Sequence, residues 1–218
     1  EQTLITLIDQ LRDTHLLSKE EWMFLIENRT RDVSNIIFQA REVRHQHYGH
    51  DVYIRGLIEF TNYCKNDCIL LRSSGKTTLN AVANRLVETD IQNCCRTGYE
   101  LGFRTFVLQG GEDGWFTDQK IISLIEKIKT ELSGLAITLS IGEKERESYQ
   151  AFFDAGADRY LLRHETYNST HYGKLHPPAL TAAHRQRCLY DLKEIGYQTG
   201  TGFMIGSPYQ TAEHLAED

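Results

Sequence analysis

Two closely spaced cysteines, Cys64 and Cys68, carry the most distinctive chemistry in this sequence. Thiolates bind iron–sulfur clusters, and a short loop lets neighbouring thiolates reach one metal centre. The chain has five cysteines, an odd number, and its first residues lack the basic start and apolar core of a secretory signal. The pair therefore favours metal or redox chemistry over a disulfide.

Other polar groups with chemical potential follow short apolar segments further along the chain. They comprise acids, amides, hydroxyls and adjacent glycines, at residues 109–113, 140–143, 163–166 and 206–210. One such group is typical of a helix cap, but their repetition after successive apolar segments indicates a shared site. The remaining cysteines, Cys94, Cys95 and Cys188, lie in helical patterns, so we expect Cys188 and at least one of Cys94 and Cys95 to be structural.

The elements that must position these groups alternate regularly from residue 51 onward. Amphipathic helices end at a glycine and are followed by a short apolar strand, and the glycines are Gly102, Gly134, Gly156 and Gly196. We expect strands at residues 52–60, 105–108, 136–139, 159–162 and 199–205. This alternation predicts a parallel α/β sheet of the TIM-barrel type, in which the site forms at the carboxyl ends of the strands.

The chain divides into two predicted parts. Residues 1–50 have helical spacing and a capping box at Ser18 to Glu21, and predict an N-terminal helical extension. Residues 51–218 predict about five barrel strands, whereas a complete eight-stranded barrel needs roughly 250 residues. We therefore expect a partial barrel that is truncated at its C-terminal side.

Charge and hydropathy narrow the function classes. The chain has 24 Lys and Arg against 30 Asp and Glu, a net charge of −6, which argues against nucleic-acid or anionic-membrane binding because both need a basic face. No apolar run approaches the roughly 18 residues of a membrane span. We expect a cytoplasmic enzyme.

The motifs resemble those of radical S-adenosylmethionine enzymes, most closely the HydE-type maturases of the iron-iron hydrogenase and the related methylornithine synthase branch. The resemblance rests on residues 56–68, on 108–113 and 140–143, and on the Arg163-His164-Glu165-Thr166 and 206–211 segments, so it extends over most of the chain. It implies a barrel that binds a [4Fe–4S] cluster and S-adenosylmethionine, with a small-molecule or organometallic substrate and other hydrogenase maturases as partners.

The resemblance also implies roles for individual residues. Cys64 and Cys68 match cluster ligands. The residues that match S-adenosylmethionine contacts are Gln109, Gly110, Gly111, Glu112, Ser140, Glu165 and Arg185. Glu112 and its glycines match the contact to the methionyl ammonium, Glu165 an acid on the cationic side, Arg185 a bidentate partner of the carboxylate, and Ser140 a substrate-side contact.

One position departs from the family pattern. The family has a third cluster cysteine where this chain has Leu71, and the sequence returns to the pattern at Arg85-Leu86. Two interpretations stay open: a real loss of the ligand, or a compensated frameshift or sequence error between about residues 70 and 84. The alternatives for function are a methylornithine synthase-like mutase and a degenerate barrel without catalysis.

Overall fold

The structure is a computed structural model, and it describes residues 2–66 and 84–218. The described elements, in chain order, are α1 (Gln2–Thr14), α2 (Lys19–Asn28), α3 (Val33–Tyr48), β1 (Gly56–Thr61), α4 (Glu88–Glu100), β2 (Thr105–Gly110), α5 (Asp118–Glu131), β3 (Ala136–Ser140), α6 (Arg146–Asp154), β4 (Arg159–Leu161), α7 (Ser169–Leu175), α8 (Ala182–Ile195), β5 (Gln198–Gly200) and α9 (Ala212–Glu217).

The first compact unit is helical and consists of residues 1–53, 166–171 and 204–218. The predicted capping box is confirmed at the start of α2. Ser18 Oγ accepts a hydrogen bond from the Glu21 amide at 3.2 Å, and Glu21 Oε2 accepts one from the Ser18 amide at 2.7 Å. Lys19 at the start of the same helix pairs with Glu213 and Glu217 of α9. Helix α2 therefore packs with α9, which is distant from it in the sequence. The division of the chain into domains at residue 50 stays a proposal.

The second compact unit consists of residues 54–165 and 172–203 and contains the sheet. All five strands are parallel, in the order β1-β2-β3-β4-β5. This confirms the predicted α/β architecture, because strands that follow each other in sequence and lie side by side in parallel need a crossover helix between them.

Two strands are shorter than the sequence predicts by several residues, and β4 ends one residue early, at Leu161. β1 begins at Gly56 and not at Val52, and both Val52 and Tyr53 are exposed. β5 ends at Gly200, so residues 201–205 are not part of the strand. In both places the apolar pattern continues beyond the backbone pairing that defines a strand, and the pattern alone does not locate where that pairing stops.

The core of the second unit lies between the sheet and its helices. Alternate strand residues, including Phe106, Leu108, Ile137 and Leu139, are almost completely buried beneath the apolar stripe of α5 and its neighbours. Cys95 and Cys188 belong to this core and Cys94 is exposed, as the helical spacing predicts. Burial raises the pKa of the Cys95 thiol to about 12, which fits a structural role.

Within the described part of the chain, no helix combines the length and the apolar character that crossing a bilayer requires.

Glycine is required where α8 ends. Gly196 has a φ of 114°, and both its own amide and that of Tyr197 donate to the Leu192 carbonyl.

We expect Gly196→Ala to lower the free energy of unfolding by about 1 kcal/mol, because a Cβ disfavours this left-handed conformation. Gly173→Ala in α7 is the matched control, since nothing lies within 4 Å of the added Cβ and φ is not positive there. Urea denaturation of both variants tests this, and equal stabilities would contradict it.

Candidate functional site

A cavity of about 590 Å³ opens at the carboxyl ends of β1 to β4. All the predicted site residues that the structure describes line it: Cys64, Gln109, Gly110, Gly111, Glu112, Ser140, Glu165 and Arg185. Cys68 and Leu71 lie outside the described residues. The structure therefore brings together eight residues from a stretch of more than a hundred positions, between Cys64 and Arg185, as the parallel topology predicts.

Three polar side chains form a row across neighbouring strands. Glu59 on β1 is paired in register with Gln109 on β2, and Gln109 with Ser140 on β3. Gln109 Nε2 donates to Glu59 Oε1 at 3.0 Å. Because the amide nitrogen points to Glu59, the Gln109 carbonyl oxygen is oriented away from that carboxylate and is suited to accept a bond from a ligand.

Close packing between the loop after β1 and the loop after β2 explains why residue 111 is a glycine. A Cβ at Gly111 would lie 2.2 Å from the Tyr63 carbonyl oxygen and 2.8 Å from the Cys64 Cβ. The segment that carries Cys64 thus packs directly against the loop after β2. The close approach that excludes a side chain at position 111 is therefore made by the protein's own backbone.

The Glu112 carboxylate is nearly buried and already has partners. Its Oε1 accepts from the Glu143 amide at 3.0 Å, and its Oε2 lies 3.2 Å from Lys65 Nζ. The Lys65 amide also donates to the Glu112 carbonyl at 3.0 Å. Glu112 therefore joins the loops after β1, β2 and β3 while it lines the cavity.

Glu165 lines the cavity with one carboxylate oxygen that has no hydrogen-bond partner among the described residues. Its Oε2 is buried and has no hydrogen-bond partner among the described residues, while Oε1 lies 3.4 Å from Arg163 Nε. The backbone at Glu165 is also unusual, with a φ of 65°. A buried carboxylate oxygen is costly to leave unsatisfied, and a strained backbone is often found at a binding site, so Glu165 is suited to receive a cationic ligand group.

Arg185 reaches the cavity from α8 and forms a buried ion pair. Its Nε donates to Glu143 Oε1, and its Nη1 donates to the Arg163 carbonyl at 3.0 Å. The sequence predicts a bidentate contact from Arg185 to a ligand carboxylate. In this arrangement two of its three nitrogens are engaged by the protein, so Arg185 also fixes the strand end that carries Arg163.

Asp113 lies directly after the cavity-lining loop and is only 4% exposed. It accepts hydrogen bonds from Thr61 Oγ1, from the Trp115 amide and from two nitrogens of Arg85. Burial raises the pKa of the Asp113 carboxyl, but the bonds from Arg85, Trp115 and Thr61 outweigh this effect, and the pKa lies below its usual value. Asp113 is therefore an anion at neutral pH.

Two features of the site differ from the sequence-based expectation. His176, which follows α7, lines the cavity, and its Nδ1 lies 3.0 Å from the Tyr172 carbonyl, but no sequence signal distinguished this histidine. Conversely, the polar group at 206–210 belongs to the first compact unit, where Ser207 Oγ lies 3.4 Å from His171 Nε2. The polarity of the local sequence does not show which polar residues line the cavity, because that depends on contacts between residues that are distant in the sequence.

Comparisons with known proteins identify relatives, although no family model matches the chain. The [FeFe] hydrogenase maturase subunit HydE of Thermotoga maritima is 41% identical over 181 residues, which is 82% of this chain and 50% of that protein. The 3-methylornithine synthase of Methanosarcina acetivorans is 30% identical over 146 residues, 66% of this chain and 41% of that protein. The chain thus spans about half the length of the curated relatives that it matches.

Solved structures give the same fold. The crystal structure of methylornithine synthase (PylB) superposes with a TM-score of 0.86 at 25% identity, over 97% of this chain and 62% of that one. The structure of HydG, a maturase of the [FeFe]-hydrogenase, matches with a TM-score of 0.84 over 99% of this chain and 49% of that one, and at 19% identity it supports the fold alone. By sequence and by fold, the chain is therefore a HydE-type member of the radical S-adenosylmethionine family.

Proposed function

We propose that this chain supplies the S-adenosylmethionine-binding part of a cytoplasmic HydE-type enzyme that acts with other maturases in assembling the di-iron centre of [FeFe] hydrogenase. The identity to HydE supports the family role. The structural observation that carries the binding role is the buried Glu165 oxygen in the cavity at the strand ends, which has no hydrogen-bond partner in the described part of the chain. The substrate class is a small molecule or an organometallic compound.

The residues present fit S-adenosylmethionine. This ligand has an ammonium, a sulfonium and a carboxylate, and the cavity wall offers acids together with an arginine and amide and hydroxyl groups. When bound in an enzyme of this family, S-adenosylmethionine supplies the 5′-deoxyadenosyl radical. The protein's own contribution would be to bind and orient it and to exclude water from the barrel interior.

Each residue then has a distinct role. Glu165 would neutralise a cationic group with Oε2, and Glu112 with its glycines would lie on the ammonium side. Arg185 would lie on the carboxylate side while its pair with Glu143 holds it in place. Gln109 and Ser140, in register on β2 and β3, would contact the ligand or the substrate beside it.

The residues do not provide a complete donor set for a [4Fe–4S] cluster with one open iron. Such a cluster needs three thiolates, but the loop offers Cys64, which lines the cavity, and Cys68, with leucine at position 71. We propose that a chain of this sequence binds S-adenosylmethionine without a stable cluster.

A methylornithine synthase-like mutase is the second candidate. The observation in its favour is that the match to the PylB structure, with a TM-score of 0.86, reaches almost every residue of the chain. An assay of the full-length protein for hydrogenase activation and for lysine rearrangement distinguishes the two functions. Activity in neither assay would favour the third possibility, a barrel that has lost catalysis.

The role of Glu165 predicts that Glu165→Gln weakens S-adenosylmethionine binding about tenfold or more, because an uncharged amide leaves the ligand's cationic group without a partner in a buried site. Calorimetric titration of the protein with S-adenosylmethionine, without added iron, measures this. Glu126→Gln on the exposed face of α5 is the control and should bind as the parent chain does. Equal affinity of the two variants would contradict the assignment.

The incomplete donor set predicts that the parent chain retains far fewer than the about four irons that one [4Fe–4S] cluster contains. Leu71→Cys should raise the bound iron and sulfide towards four per chain, because it completes the three-thiolate pattern. Leu70→Cys adds a thiol at the neighbouring position and is the matched control. About four irons in the parent chain, or production of 5′-deoxyadenosine by it, would disprove the ligand argument.

A further inference from the structure

Backbone pairing closes the base of the loop that carries Cys64. The Leu86 amide donates to the Phe60 carbonyl at 2.8 Å, and the Asn62 amide donates to the Asn84 carbonyl at 3.1 Å. Thr61 and Arg85 form an antiparallel bridge between these two bonds. The chain that leaves the sheet at Asn62 therefore returns beside it at Asn84, and we call this pairing of 60–62 with 84–86 the loop base.

Asp113 binds the loop base from the neighbouring loop after β2. One carboxylate oxygen accepts from Thr61 Oγ1 and from Arg85 Nε, both at 2.7 Å. The other accepts from Arg85 Nη2 at 2.9 Å and from the Trp115 amide at 3.0 Å. One buried anion thus contacts both sides of the loop base, and the two parallel bonds from Arg85 also fix its orientation.

Arg85 extends this contact to the residue next to Cys64. Its guanidinium carbon lies 4.1 Å from the centroid of the Tyr63 ring, a distance that is typical of a cation–π contact. The Tyr63 amide lies 3.2 Å from Thr61 Oγ1, and the Tyr63 carbonyl packs on Gly111. The residue before Cys64 is therefore fixed by its ring, its amide and its carbonyl.

We propose that the ion pair of Asp113 and Arg85 positions Cys64 at the cavity wall before any metal or ligand binds. Neither residue lines the cavity, so both are positioning residues that act through Tyr63 and the loop base. The proposal concerns the metal-free chain. Its test contains neither iron nor S-adenosylmethionine, so its failure is distinguishable from a failure of the proposed function.

The experiment measures how fast iodoacetamide alkylates each cysteine of the metal-free full chain, by mass spectrometry of the labelled peptides. Cys94 is exposed on α4 and is the internal reference. We expect both Asp113→Asn and Arg85→Gln to raise the rate at Cys64, relative to Cys94, by about fivefold or more, because either change releases the loop base and opens it locally.

The two variants separate positioning from simple electrostatics. Asp113 and Arg85 carry opposite charges, so a purely electrostatic effect of the two substitutions changes the two alkylation rates in opposite directions. If the ion pair positions Cys64, the alkylation rate of Cys64 increases in both variants. The double variant should then react no faster than the faster single variant, because the two side chains act as one unit.

Asp158→Asn is the matched control for lost stability. Asp158 also accepts hydrogen bonds from the backbone and from a cation, Ile137 N and Lys129 Nζ, both at 2.8 Å, but at the amino end of β4. It should leave the Cys64 rate unchanged, and the buried Cys95 should stay protected in every variant. Unchanged or opposite rates at Cys64, or deprotection of Cys95 along with it, would overturn the proposal.

Discussion

The parallel register of β1, β2 and β3 is the constraint on which the rest of the site depends. It places Glu59, Gln109 and Ser140 side by side although each comes from a different helix–strand repeat. The loops that follow these strands then leave the sheet at the same edge. The other described residues that line the cavity come from those loops, from the end of β4 and the segment after it, and from α8 and the end of α7.

Charge satisfaction divides the buried ionisable groups into two classes. Glu143, Asp113 and Glu112 each have a cation or backbone amides as partners, and they hold neighbouring loops together. Glu165 lines the cavity, and one of its oxygens is buried with no such partner among the described residues. Leaving a buried carboxylate oxygen without a partner is costly, and this cost is the reason for the cationic ligand group that we propose at Glu165.

The proposed ligand contacts and the proposed cluster ligands differ in how many of their residues this chain supplies. The residues that we propose to contact S-adenosylmethionine come from the ends of three strands, β2, β3 and β4, and from α8, and all of them line the cavity. The loop after β1 carries Cys64 and Cys68, and Leu71 stands where the family has its third cluster cysteine. Thr61, Arg85 and Asp113, whose hydrogen bonds join the start of this loop to the loop after β2, lie outside the segment 70–84.

The alternation of helices and strands follows from local features of the sequence. Gly196 ends α8 with a positive φ, and the apolar residues of α5 recur at 3.6-residue spacing. Because such features act through neighbouring residues, the helices, the parallel sheet and the edge that carries the site could be predicted. Which polar groups meet is instead a property of the folded chain. The tertiary structure assigned 206–210 to the helical unit, added His176 and paired Arg85 with Asp113, because such contacts depend on packing between residues far apart in the chain.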